Sequence, residues 1–145
     1  DMLPEKEERT ESAEKPLAGM HFLLAEDNEI NMEIAEFYLT DLGATVSKAW
    51  NGKEAFEMFE TSEPGSYDVI LMDVMMPEMD GYEATHRIRA LKRPDAQTVR
   101  IVAMTAQTSE DCVQKCLDAG MDGHIAKPFD EEKILSALHK NIETE

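Results

Sequence analysis

The chain has 145 residues, 42% of them hydrophobic, with 31 acidic against 14 basic side chains and a net charge of −17. That length suits one ordinary domain, and that apolar content supports a real core. The charge argues against direct binding to nucleic acid or to anionic membrane surfaces, while it favours basic partners and leaves carboxylates free to hold a hard metal ion.

Residues 1–19 (DMLPEKEERTESAEKPLAG) carry almost no apolar content and two prolines. They read as an acidic flexible linker or tail without a core of its own, followed by one domain over 20–142. The chain opens on Asp rather than Met, as expected of a piece of something longer. From His21 onward, short apolar runs alternate with helical periods. His21–Ala25 is too short for a helix and reads as a buried strand. Ile30, Ile34, Phe37 and Tyr38 then share one helix face, and Gly43 follows at the stop position. Thr45–Ala49 alternates more weakly, as an edge strand does. After the Asn51-Gly52 turn, Ala55, Phe56 and Phe59 mark a second helix. Val69–Met72 is the next buried strand, and Ala84, Ile88 and Leu91 form the third helical stripe. Ile101–Met104 is a fourth strand, followed by Cys112, Val113, Cys116 and Leu117 on a helix closed by Gly120. His124–Ala126 is the last strand. Ile134, Leu135, Leu138 and Ile142 make the fifth helix, with Asp130 placed to cap it.

Five βα units predict a single parallel sheet covered by helices on both faces. Ligands in such folds bind outside the carboxyl ends of the strands, where the strand order reverses. The apolar runs are far shorter than the roughly 20 residues a membrane span needs, and no basic-then-apolar signal segment opens the chain. The two cysteines, Cys112 and Cys116, stand one helical turn apart. They match neither a disulfide framework nor a zinc site and read as small semi-buried thiols. His21, His86 and His139 show no ligand spacing, and Trp50 reads as packing beside a turn. So few cysteines suit a reducing, cytoplasmic setting.

The strand ends carry the chemistry. The first strand runs into Glu26-Asp27, the third into Asp73, the fourth into Thr105 and the fifth into Lys127. Three converging carboxylates repel one another unless one takes a proton or a divalent ion neutralises them. Mg²⁺ prefers a few carboxylates plus waters and phosphate oxygens. Lys127 is a poor metal ligand and a good point-charge partner for a phosphoryl oxygen, and Thr105 can donate a hydrogen bond to another. The set suits phosphoryl transfer, with one carboxylate as the nucleophile.

The segments LLAEDNEIN, DVILMDVMMPEMDGYEAT, VAMTA and GHIAKPF together resemble the response-regulator receiver domain, over about residues 20–142. The resemblance implies a doubly wound, five-stranded parallel sheet of order 2-1-3-4-5, the flavodoxin-like (βα)5 fold. It implies that Asp73 is the phosphoacceptor and that Glu26, Asp27, Asp73 and the backbone carbonyl of Met75 hold Mg²⁺ (or Mn²⁺). Thr105 becomes the switch hydroxyl and Lys127 the phosphoryl-binding lysine, with a cis peptide between Lys127 and Pro128. Gly81 is expected to shape the loop carrying Met75, while Met75 and Gln107 flank the route of an attacking water and so tune phosphoryl lifetime. One position departs from the family: His124 stands three residues before the lysine, where receivers usually carry Tyr or Phe. It is either a partly exposed surface histidine or a modified switch residue.

The implied function is phosphorelay signalling by a switch domain with no enzymatic activity beyond self-dephosphorylation. The implied partners are the dimerisation and phosphoacceptor domain of a histidine kinase or a histidine phosphotransfer protein, with monomer or dimer left open. The stretch after Lys127 holds one helix only, and the tail lies on the N-terminal side. The expectation is therefore the terminal receiver of a hybrid sensor histidine kinase, on the cytoplasmic side of the membrane, with a free-standing regulator as runner-up. A haloacid-dehalogenase-type phosphohydrolase would need a second Asp at Met75, and an unphosphorylated pseudo-receiver would not fill every acidic, hydroxyl and lysine position.

Overall fold

Each apolar run becomes a strand of one parallel sheet, in a computed structural model that describes residues 15–106, 109–127 and 130–138. The elements are β1 (His21–Ala25), α1 (Glu29–Asp41), β2 (Thr45–Ala49), α2 (Gly52–Thr61), β3 (Val69–Asp73), α3 (Gly81–Arg89), a single 3₁₀ turn (Pro94–Ala96), β4 (Arg100–Thr105), α4 (Glu110–Ala119), β5 (Gly123–Ala126) and α5 (Glu131–Leu138). The sheet order is β2-β1-β3-β4-β5, with every pair parallel. The expected 2-1-3-4-5 order is observed.

Side chains alternate across the sheet with period two, so each strand feeds two cores. Leu23, Ala25, Ile70, Met72, Ile101 and Ala103 face α2, α3 and α4, meeting Ala55, Phe59, Ala84, Ile88 and Cys116. Phe22, Leu24, Leu71, Val102, Met104 and Ile125 face α1 and α5, meeting Met32, Ala35, Leu39, Ile134 and Ala137. Burying a side chain the size of Phe22 or Leu24 contributes about 2 kcal/mol. β2 lies at the edge and is the least buried of the strands that precede β4, as its weak alternation foretold.

One helix face is corrected by the structure. Ile30, Ile34 and Phe37 are 67%, 43% and 63% exposed, and the buried residues of α1 are Met32, Ala35 and Leu39. Only Tyr38 of the expected stripe packs against the core, and it does so partly. α1 is apolar on two faces at the same i, i+3, i+4 spacing, so periodicity cannot choose between them. The face with the small Ala35 at its centre lies closest to the sheet.

The domain also begins earlier than residue 20. Leu17 is buried against Leu42 and Ala44, and its N–H donates to Leu42 O at 2.8 Å. The packed structure therefore includes at least part of the segment read as a tail; residues 1–14 lie outside the described residues. The remaining stops and caps follow the sequence. Gly43 and Gly120 adopt φ of 106° and 104° after α1 and α4, and Asp130 Oδ1 accepts from the Lys133 N–H at 2.9 Å to cap α5. Ile142 lies outside the described residues.

At the amino end of the sheet, Arg89 ties two loops together, the one before β4 and the one before β5. Its guanidinium donates to Ala96 O (3.1 Å), Val99 O (2.7 Å), Gly120 O (3.0 Å) and Asp122 Oδ2 (2.9 Å). That end is fixed by structural hydrogen bonds, which leaves the opposite edge for chemistry.

Candidate functional site at the carboxyl edge of the sheet

The central strands deliver the site. β1 pairs with β3 so that Ala25 stands opposite Met72, which brings Glu26, just beyond β1, alongside Asp73, the last residue of β3. Glu26, Asp27 and Asp73 each offer a carboxylate oxygen, and the three lie within 4.8 Å of one another. Glu26 is 1% and Asp73 4% exposed, whereas Asp27 opens to solvent. Among the described residues this is the one acidic or His/Cys cluster with metal-holding spacing.

Lys127, one residue past β5, closes the cluster. Its Nζ donates to Asp73 Oδ2 at 3.1 Å and stands 3.0 Å from Glu26 Oε1. Glu26 Oε1 is buried, and the Lys127 ammonium it faces is the one that Asp73 also shares. The other Glu26 oxygen accepts from the Asn28 N–H at 3.1 Å. Asp73 Oδ1 accepts from the Met75 N–H at 3.3 Å. Thr105 ends β4, buried beside this group, and its carbonyl receives the Lys127 N–H at 2.8 Å. That backbone bond holds Lys127 just past the Thr105–Ala126 pair that ends the β4–β5 ladder.

Electrostatics follow from crowding. Burial, then the Glu26 charge, pushes the Asp73 carboxyl up to about 6 against the opposing pull of Lys127. At neutral pH Asp73 is thus mainly ionised and only partly neutralised. Burial works against the charge on Lys127, but the Glu26 and Asp73 carboxylates outweigh it and raise its pKa. One ammonium therefore faces two buried carboxylates and a third nearby. A hard divalent cation fits this donor set: oxygen ligands only, excess negative charge, and a buried Glu26 oxygen that shares its one ammonium with Asp73.

The loop after β3 is held as the sequence suggested. The Gly81 N–H donates to Val74 O at 3.1 Å, and a Cβ at Gly81 would collide with the Asp73 carbonyl. Met75 projects into solvent beside the acids. His124 is partly exposed on β5, opposite Ala103. Gln107 and Pro128 lie outside the described residues, and with them the lifetime-tuning and cis-peptide expectations. Two features escaped the sequence reading. Asn28 supplies an N–H to Glu26 while its side chain caps α1, a role hinted at only by its place before a helix. The Gly52 N–H donates to Met79 O at 3.0 Å, joining α2 to the loop after β3.

A family model described as the response regulator receiver domain matches residues 22–139. The chain belongs to the response-regulator receiver family. This receiver is 43% identical over 137 residues to "Probable histidine kinase 2" of Oryza sativa subsp. indica, an alignment covering 87% of the chain and 13% of that relative. It is 34% identical over 155 residues to "Histidine kinase 1" of Arabidopsis thaliana, covering 86% of the chain and 13% of that relative. The chain thus spans a small part of the curated relatives it matches.

Among solved structures, the receiver domain of a Pseudomonas aeruginosa sensor histidine kinase superposes with a TM-score of 0.75 at 37% identity. That match covers 87% of this chain and 99% of that one, and that structure holds a magnesium ion coordinated in its active-site cleft. The chemotaxis protein CheY4 of Vibrio cholerae gives a TM-score of 0.75 at 29% identity, covering 83% of this chain and 97% of that one. No described helix is long and apolar enough to cross a membrane.

Proposed function

We propose that this receiver takes a phosphoryl group onto Asp73 from a phosphohistidine, carried by a histidine kinase or by a histidine phosphotransfer protein. The observation that carries the reading is the pairing of Lys127 with Asp73 inside a cluster of three carboxylates. An Asp73 oxygen attacks phosphorus in line. The phosphorus–nitrogen bond breaks, the imidazole nitrogen keeps the electron pair, and the product is an acyl phosphate. Lys127 exchanges its carboxylate contact for a phosphoryl oxygen, and the Thr105 hydroxyl donates to another.

Glu26, Asp27, Asp73 and the Met75 carbonyl would hold Mg²⁺, which supplies neutralisation of the charge on the phosphoryl oxygens. Thr105 moving toward the phosphoryl group would alter the face around α4 and β5, where His124 replaces the family's usual aromatic ring. Hydrolysis of the acyl phosphate by the domain itself would reset the switch, with Met75 and Gln107 setting its lifetime. Two residues beyond Asp73 stands Met75, so the second carboxylate of a haloacid-dehalogenase-type hydrolase has no counterpart there. The similarity to histidine kinases supports reading the domain as part of a hybrid sensor kinase, on the cytoplasmic side.

The test is incubation with acetyl phosphate and Mg²⁺, followed by a phosphate-affinity gel of the wild type and Asp73→Asn. A retarded species that needs both Asp73 and Mg²⁺ is expected; its absence overturns the reading.

A further inference from the structure

Gly52, in the first turn of α2, touches the loop that follows Asp73 more closely than any side chain would allow. A Cβ built on it would overlap the Met79 carbonyl oxygen and stand 2.8 Å from the Met79 carbonyl carbon and 3.0 Å from Asp80 O. All three are backbone atoms, which cannot swing aside as a side-chain tip can. Across this gap the Gly52 N–H donates to Met79 O at 3.0 Å.

The loop it holds is under strain. Glu78 has φ of 70° and is the only non-glycine with positive φ among the described residues. The Met79 N–H bends back onto Pro77 O at 2.6 Å around it. A left-handed backbone at a side-chain-bearing residue persists only where its surroundings impose it. The loop is pinned at its two ends: Gly81 N–H on Val74 O close to β3, and Gly52 N–H on Met79 O at the far side. Between these pins lie Met75, whose N–H already meets Asp73 Oδ1, and Met76 and Pro77. The α2 terminus is itself rigid, because Asn51 Oδ1 accepts from the Glu54 N–H at 2.7 Å and Glu54 accepts from the Trp50 N–H at 2.8 Å.

We infer that Gly52 is a positioning residue for the acceptor site: by letting the α2 backbone seat against the Met79 carbonyl, it fixes the Asp73–Asp80 loop and so places the Met75 carbonyl for the cation. This rests on the reading of Asp73 and Met75 as parts of a magnesium site. The atoms nearest a Cβ on Gly52 belong to the Met79 and Asp80 backbone and not to a site carboxylate, so its effect passes through the loop. Its glycine identity follows from close approach to that loop, since the positive φ found at Gly43 and Gly120 is absent at Gly52.

The test compares Mg²⁺ affinity with fold stability in the full 145-residue chain. Gly52→Ala is set against Gly43→Ala, a glycine after α1 whose added Cβ would crowd Lys15 and Ala18 and whose φ is also positive. Mg²⁺ binding is followed by the amide NMR shifts of Val74 and Met75 and by Trp50 fluorescence, and stability by thermal melting. Gly52→Ala should raise the Mg²⁺ dissociation constant about tenfold, the scale of losing an outer support of a metal ligand. Gly43→Ala should lower the melting temperature and leave Mg²⁺ affinity unchanged.

If Gly52→Ala fails to fold, Glu78→Gly in the same chain lets the loop yield; the double variant should fold and still bind Mg²⁺ weakly. Wild-type Mg²⁺ affinity in either Gly52 variant overturns the inference. A wild-type chain that binds no Mg²⁺ overturns the magnesium reading beneath it, so the two failures are distinct.

Discussion

Lys127 and Asp73, 54 positions apart in the chain, meet through an N–H···O contact of 3.1 Å at the ends of β5 and β3. Strand β4 lies between those two strands, and Lys127 is tied to it through the Thr105 carbonyl. The ammonium is therefore placed by the sheet, where it opposes the burial and the Glu26 charge that raise the Asp73 carboxyl.

Replacing Lys127 by Met should leave Glu26 and Asp73 buried and facing each other unpaired. Removing one partner of such a pair costs about 3 kcal/mol, and the Asp73 carboxyl should rise further above about 6. Acetyl phosphate labelling at pH 7 should fall by roughly two orders of magnitude, given what one well-placed charge contributes to a transition state. Labelling rates at wild-type level would remove Lys127 from the chemistry.

Asp73→Asn should stabilise the magnesium-free domain above pH 6. The native carboxyl is raised from 3.8 to about 6, so the fold favours its protonated form. That contribution is present in full below about pH 4 and disappears as pH climbs through about 6. Two units correspond to at most about 3 kcal/mol. Urea unfolding without metal should show the variant gaining on the wild type between pH 4 and 7, and added Mg²⁺ should narrow the gap. A constant difference across that range would contradict the assignment.

Arg89→Met should cost about 3 kcal/mol, because the Ala96, Val99 and Gly120 carbonyls and the Asp122 carboxylate lose their shared donor. The guanidinium sits at the amino end of the sheet, away from the acids. Labelling of Asp73 measured below the lowered melting temperature should therefore remain at wild-type rate.

The two faces of α1 should answer differently to substitution. Phe37→Ser and Ile30→Ser, on the exposed face, should shift stability by no more than about 0.5 kcal/mol. Leu39→Ala, on the buried face, should cost about 3 kcal/mol. Equal costs on both faces would mean that the exposed stripe is covered in solution.

Most of the candidate site was legible because its members occupy the same local place: the first or second polar residue after an apolar run. Strand termini in a parallel sheet must line up on one edge, so the sequence could name Glu26, Asp27, Asp73, Thr105 and Lys127 before any distance was known. Gly81 was legible for a similar reason, as a turn residue in the loop after Asp73. Gly52 was not. It looks like an ordinary turn glycine, and the carbonyl that requires it, Met79, lies 27 positions further on and approaches only when α2 packs beside α3. The inner face of α1 was illegible because two apolar stripes compete on one helix. Leu17 was missed because a single apolar residue within a charged segment has no period to announce it.

By itself, then, the sequence determined what is periodic or local: the alternation of strands and helices, their stops at Gly43 and Gly120, and the residue types gathered at the strand ends. Tertiary structure alone decided which side of α1 turns inward, that Leu17 belongs to the core, that Lys127 bridges Glu26 and Asp73, and that Gly52 abuts the loop after β3. Those are contacts between segments far apart in the chain. Their outcome depends on shape and crowding once the sheet has formed, and neither has a signature in a single stretch of residues.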